Sequence, residues 1–297
     1  MEISDKRLQN LIADTLAIEA EEAKKAGALG FMARALVQAT MPHKKTDSNE
    51  FVRRNGVFSL SILAPSSIGL PYGSIPRLLM AWLTTEAVVT KNRTISLGNT
   101  LSAFMSKLDL VPTGGRWGSI SRVKTQARRL FSASISCSYN SSESEGESGF
   151  RIADSHELWW FPKSPEQSTL FESTVTLSEG FFKEITTYPV PVDMRALNAL
   201  KRSPMALDTY CWLSYKMSYL SKNTEIPWGV LALQFGADYT RIRDFKRYFV
   251  EQLGLVHGIY PGAKFELSEK GLILKPGRPH IPKYDTKSAQ SQPAKCE

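Results

Sequence analysis

The stretch Glu225 to Val256, EIPWGVLALQFGADYTRIRDFKRYFVEQLGLV, reads as two short helices joined by a tight turn. Ile226-Pro227 suits the opening of the first, because proline fits a first helical turn, where an N–H has no partner anyway. Val230, Leu231, Leu233 and Phe235 give that helix an apolar side, and Gly236 ends it, since glycine takes the left-handed backbone common at helix stops. Asp238 is placed to cap the second helix. On that helix Ile242, Phe245, Phe249 and Leu253 follow the three-and-four spacing of a buried face. The remaining surface carries Arg241, Arg243, Lys246 and Arg247 against Asp244. A short helix, a glycine turn and a basic second helix form the layout of a helix-turn-helix, whose second helix enters the DNA major groove. A basic amphipathic helix is equally the pattern of a solvated surface, so the flanking sequence has to decide.

The residues downstream of this helix favour DNA. Val256 to Gly262 and Lys264 to Leu267 resemble two strands around a Pro-Gly turn, and Gly271 to Pro276 offers a further short strand. A β-hairpin after the second helix is the wing of a winged helix. In that reading the helix from Thr240 to Leu253 lies in the groove. Arg241 and Arg243 reach base edges, because arginine bonds guanine bidentately, and Lys246 and Arg247 meet phosphates.

The whole chain has 297 residues, 42% of them hydrophobic, enough for about two cored domains. Its net charge of +8 favours a polyanionic partner, nucleic acid before membrane. Cys137, Cys211 and Cys296 are widely spaced and odd in number, so neither zinc nor a disulfide framework is expected. No signal peptide or membrane-spanning run is evident, and a reducing cytoplasm is the expected location.

Upstream, Ser4 to Lys25 reads as a charged amphipathic helix and Gly27 to Thr40 as its continuation into a second, followed by a polar linker from Pro42 to Asn49. FSLSIL near residue 60 suits a strand. Ser74 to Thr90, with Ser74 as cap, and the segment after Thr100 read as helices. Ser119 to Phe131, SISRVKTQARRLF, buries Ile120, Val123, Ala127, Leu130 and Phe131. Arg122, Lys124, Gln126 and Arg129 are its candidate DNA contacts, with Arg128 beside them and Arg116 in the preceding loop. Ser119, Ser121 and Thr125 are candidate donors to phosphates. Extended segments then run to Leu177, interrupted by Ser141 to Ser148, read as a mobile acidic hairpin tip kept off DNA by its charge. Ser178 to Thr187 reads as a short helix, and Tyr188-Pro189-Val190-Pro191 as a stiff connector between units. A short helix from Val192 to Leu200, capped by Asp193 or its neighbour, and a long one from Pro204 to Leu220 come next; the tyrosines and Trp212 of the latter are expected in the core or at its rim.

The fold class expected is α+β, mainly helical, with two tandem winged-helix domains, each carrying a β-hairpin wing. The expected boundaries are an N-terminal helical extension and linker at 1–50, a first domain at 51–188, a second at 189–279 as main reader, and a disordered tail at 280–297.

Two long blocks carry a family resemblance. Gly69 to Phe131, with GLPYGSIPRLLMAWLTTEAVV and GGRWGSISRVKTQARRLF, resembles the first block of plasmid RepA-type replication initiators. Leu200 to Leu220, LKRSPMALDTYCWLSYKMSYL, followed by IPWGVLALQFG, RDFKRYFVEQL and Tyr260-Pro261, resembles the second. The resemblance implies binding to repeated origin sites, called iterons, opening of the origin, and recruitment of the host helicase and host initiator. It also implies a homodimer through the first domain that represses the protein's own promoter. A winged-helix transcription regulator with no replication role has the same sequence-level physics. A rolling-circle nuclease needs two histidines one residue apart near a tyrosine, whereas His43, His156, His257 and His280 are scattered. No phosphate-cradling loop occurs. No enzyme activity, catalytic residue, metal or cofactor is therefore expected.

Overall fold

The computed structural model describes residues 14, 15, 18, 21–115, 118–140, 145–161, 163–236 and 239–282. In chain order the elements are β1 (Leu29–Ala33), α1 (Arg34–Gln38), β2 (Glu50–Asn55), β3 (Phe58–Leu63), α2 (Ser74–Thr90), β4 (Thr94–Gly98), α3 (Leu101–Lys107), α4 (Ser119–Phe131), β5 (Ser134–Asn140), β6 (Glu145–Arg151), β7 (Ala153–Glu157) and β8 (Ser173–Leu177). Then come α5 (Glu179–Thr187), β9 (Pro189–Asp193), α6 (Met194–Leu200), α7 (Pro204–Met217), β10 (Thr224–Pro227), α8 (Trp228–Phe235), α9 (Ile242–Ile259), β11 (Lys264–Leu267) and β12 (Gly271–Lys275). The fold is mixed α/β.

Two halves repeat one plan. In the first, α2 is followed by β4, α3, α4 and the pair β7–β8, and the three strands form a sheet in the order β4-β8-β7. In the second, α7 is followed by β10, α8, α9 and the pair β11–β12, in the order β10-β12-β11. In both, the strand after the first helix pairs with the last strand of the unit. The first half differs by an insertion: β5 and β6 leave the unit to join β2 and β3 in a four-stranded antiparallel sheet.

The local chemistry explains most boundaries. Thr100, Ser178, Asp193 and Ser203 each cap the following helix by accepting a backbone N–H. α7 is buried nearly all round, including Leu207, Tyr210, Trp212 and Leu213, as befits a helix at the centre of a core. It packs against α1, α2, α6, β9 and α9. The apolar cluster is continuous from Met32 through both halves to Leu274.

Several sequence expectations need correcting. Gly27 to Thr40 is not a helix: β1 pairs antiparallel with β9, Leu29 opposite Asp193, and only α1 is helical. The expected connector at 188–191 is largely that partner strand. Pro189 and Pro191 lack an N–H to give, so β9 suits a two-stranded ribbon rather than a sheet interior. Ser74 lies inside α2, and Gly73 occupies the cap position without a side-chain bond. Of the acidic tip, Glu145 to Ser148 belong to β6, with Glu145 opposite Asn140; residues 141–144 lie outside the described set. Most of the expected N-terminal helix and the tail beyond residue 282 also lie outside it.

A buried ionic cluster joins the halves. Arg77 of α2 donates from Nε to Asp208 Oδ1 and from one terminal nitrogen to Oδ2, both at 2.7 Å, and Asp208 belongs to α7. The guanidinium also donates to the carbonyls of Met41, Pro42 and Gly73, and His43 Nε2 lies 2.8 Å from Asp208 Oδ2. Burial works to raise the Asp208 carboxyl, but Arg77 and His43 outweigh it and hold it below the ordinary carboxylate range. Burial, which disfavours the charged imidazole, depresses His43. Nearby, Thr40 donates to the Gln234 carbonyl, and Gln234 Nε2 donates to the Gln38 carbonyl. The segment after β1 thus straps one half to the other.

Candidate nucleic-acid interface

In the second half, α8 points Trp228, Leu231 and Phe235 inward, while Leu233 faces solvent. Pro227 ends β10 and holds the cap position of α8, one residue before its first turn, and the Trp228 N–H donates to the Lys270 carbonyl. Gly236 does end α8, for a different reason than expected. Its φ is −117°, outside the left-handed region, but a Cβ there would fall 2.5 Å from the Phe245 ring. The glycine is needed so that the turn can press against α9. Asp238, the expected cap, lies outside the described residues, and Arg241 holds the cap position without a side-chain bond.

α9 has 18 residues, about 27 Å of helix. Phe245, Phe249, Gln252, Leu253, Val256 and Ile259 line its buried side. Phe249 lies 5.4 Å from both Phe235 and Phe245 between ring centroids. The residues from Val256 on therefore extend the helix instead of starting a strand, because Val256 and Ile259 prolong the buried stripe. The hairpin after α9 is β11–β12 alone. Its turn is closed by Ser268, whose hydroxyl accepts the Gly271 N–H, while Trp228 Nε1 donates to the Ser268 carbonyl. His257, expected in the hairpin, lies on α9 with its ring 5.1 Å from that of Phe265.

Thr240, Arg241, Arg243 and Arg247 are exposed. Lys246 is half-buried, with its ammonium 4.7 Å from the centre of the Trp228 ring. None of these four cations makes an ion pair with a described residue. Ile242, expected in the core, is instead 52% exposed. The helix starts before the core does, so its first turn overhangs.

The first half places α4 at the equivalent point of the plan. Arg122, Lys124, Thr125 and Arg128 are exposed there or nearly so, and the three cations make no ion pair with a described residue. Ser121 is half-buried. Three candidates of α4 turn inward. Ser119 is buried, donates to the Val111 carbonyl at 2.6 Å and accepts the Thr113 N–H at 2.9 Å. Gln126 is buried and accepts the Tyr72 N–H at 2.9 Å. Arg129 donates to the Leu70 carbonyl at 3.1 Å and lies over the Tyr72 ring. Ser119 ties down the loop before α4, and Gln126 and Arg129 tie down the loop before α2, Arg129 remaining half-buried and bonded there through one nitrogen. The spacing carried the signal for Gln126, three residues after Val123 and four before Leu130 on the buried stripe. Arg116 lies outside the described residues. Sequence reading also passes over Arg77 and Asp208, each a lone charge on an otherwise apolar stretch of helix.

Among the described residues no helix is long and apolar enough to cross a membrane. Comparison with solved structures finds domains 2 and 3 of RctB, with a TM-score of 0.54 and 11% identity over 81% of this chain and 97% of that one. A second structure of RctB domains 2–3 aligns with a TM-score of 0.49 and 12% identity over 81% and 94% of the respective chains. At that identity the first likeness speaks for the fold. No curated protein matches the sequence. The family model for plasmid encoded RepA protein matches residues 70–229, more than half of the chain, from just before α2 to the start of α8. It takes in α4 and both partners of the buried ion pair, and the chain belongs to this family of plasmid replication initiators.

Proposed function

We propose that the protein initiates replication by reading direct repeats at a plasmid origin with two winged-helix units. One observation carries the reading. The third helix of each repeated unit, α4 and α9, presents exposed cations without acidic partners among the described residues, and each is followed by strands that pair as a wing would. The likeness to a two-domain piece of RctB adds support for the tandem architecture. α9 lies in the major groove, with Arg241 and Arg243 on base edges and Lys246 and Arg247 toward phosphates. Arg122, Lys124 and Arg128 of α4 hold the neighbouring duplex. Dimerisation through the first unit, repression of the protein's own promoter, and recruitment of the host helicase and host initiator complete the proposal; they rest on the family alone.

The test is a binding titration with two duplexes of equal composition, one carrying the direct repeats beside the coding gene and one scrambled. A preference of about a thousandfold for the repeats, with a steep salt slope on both, is the expected result. Equal affinity for the two would remove the iteron reading. Tight, specific binding by a protein that cannot maintain a plasmid bearing those repeats would leave a regulator instead.

A further inference from the structure

We infer that Ile242 is a specificity-determining residue that reads a thymine, its side chain seated on the C5-methyl in the major groove. The inference rests on α9 being the groove helix and goes on to assign one base position to an apolar side chain. Ile242 is the first residue of α9 and is 52% exposed, while the core of that helix is supplied by Phe245, Phe249 and Leu253. Its neighbours in sequence, Arg241 and Arg243, are exposed and unpaired with any described acid.

Isolated apolar side chains are common on protein surfaces, so exposure alone selects nothing. Place and chemistry do. The first turn of a groove helix is the part that reaches base edges. There the groove floor shows donors and acceptors, with one apolar group among them, the thymine methyl. A phosphate-facing position would call for charge, and a solvated one would serve as well with a polar residue. Isoleucine is branched at Cβ and stiff at χ1 in a helix, so it offers the methyl a surface already fixed in direction. Arginines on either side suit guanines next to that thymine.

The test begins by enriching a preferred duplex from a random-sequence pool with the full chain. Each thymine of that duplex is then replaced singly by deoxyuridine, which lacks only the methyl. Wild-type protein is expected to lose about fourfold in affinity at one position, the value of one buried methyl. Ile242→Ala is expected to bind the thymine and deoxyuridine duplexes equally at that position while still preferring the duplex over scrambled DNA. Ile242→Val, which keeps the branch, is expected to retain most of the difference. Circular dichroism of the variants checks that α9 is intact. If Ile242→Ala keeps the wild-type difference, or if no thymine responds although the duplex is specific, the assignment falls and α9 remains a DNA reader. If the pool yields no preferred duplex, the groove helix itself falls, and the assignment with it.

Discussion

Arg77 and Asp208 meet directly across the two halves, almost fully buried, at 2% and 8% side-chain exposure. Charges so placed are tolerable only because each is fully engaged, the carboxylate by Arg77 and His43, the guanidinium by Asp208 and three carbonyls. Asp208→Ala strands a buried cation, and the expected loss is about 3–5 kcal/mol, read as a lower midpoint in urea denaturation. Arg77→Lys is expected to recover little, since an ammonium cannot make the two-pronged contact. A second buried group gives the protein a pH dependence. His280 packs against Tyr260, ring centres 4.5 Å apart, and its Nδ1 lies 2.7 Å from the Tyr210 hydroxyl, which accepts the Asp193 N–H. Burial chiefly, with Arg195 opposing Asp193, pushes the His280 imidazole down to about 4. The unfolded chain takes up this proton below about pH 6.5, while the folded protein refuses it until about pH 4. Stability is therefore intact above about pH 6.5 and drains as pH falls through that window, by up to about 1.4 kcal/mol per pH unit for one proton. Melting temperatures between about pH 7.5 and 4.5 measure it. His280→Gln is expected to flatten the slope, leaving the part due to His43, which burial also depresses.

At the scale of elements, α4 and α9 differ in what their cations are expected to do. Arg243→Ala should cost about 1–3 kcal/mol in binding and relax the preference at one base pair, seen by titrating duplexes changed at each position. Lys124→Ala should weaken all sequences alike and reduce the salt slope by about one. An Arg243 variant that weakened every duplex equally would instead place that side chain on phosphate. These helices are legible in the sequence to the degree that their causes are local. The bounds of α4 are readable to the residue, because glycines before it and a complete buried stripe within it are local signals. The far end of α9 is not, since Gly258 and Pro261 look like turn punctuation although Val256 and Ile259 continue the stripe. β1 escapes sequence reading because LGFMA runs directly into the helical RALVQ; only pairing with β9, far along the chain, makes it a strand. The roles of Ser119, Gln126 and Arg129 depend on loops brought in by the fold, and Ile242 is exposed because its helix outruns its core. Periodicity does not encode these contacts.

For the whole molecule, the repeated plan suggests two modules on a string, but the apolar cluster and the ionic one run through both. The expected consequence is a single cooperative unfolding transition, with calorimetric and van't Hoff enthalpies in agreement. Two separate transitions would sink this view. A fragment of residues 189–297 is expected to lack fixed tertiary structure by near-ultraviolet circular dichroism, because β9 loses β1, and Asp208 loses Arg77 and His43. The same ion pair bears on ancestry. A recombination event that joined the first half of one initiator to the second half of another near residue 188 would part Arg77 from Asp208, and would succeed only between parents that share both. If α9 is the groove helix proposed above, new origin specificities in such a lineage are expected from exchange of a few of its exposed side chains more readily than from shuffling halves.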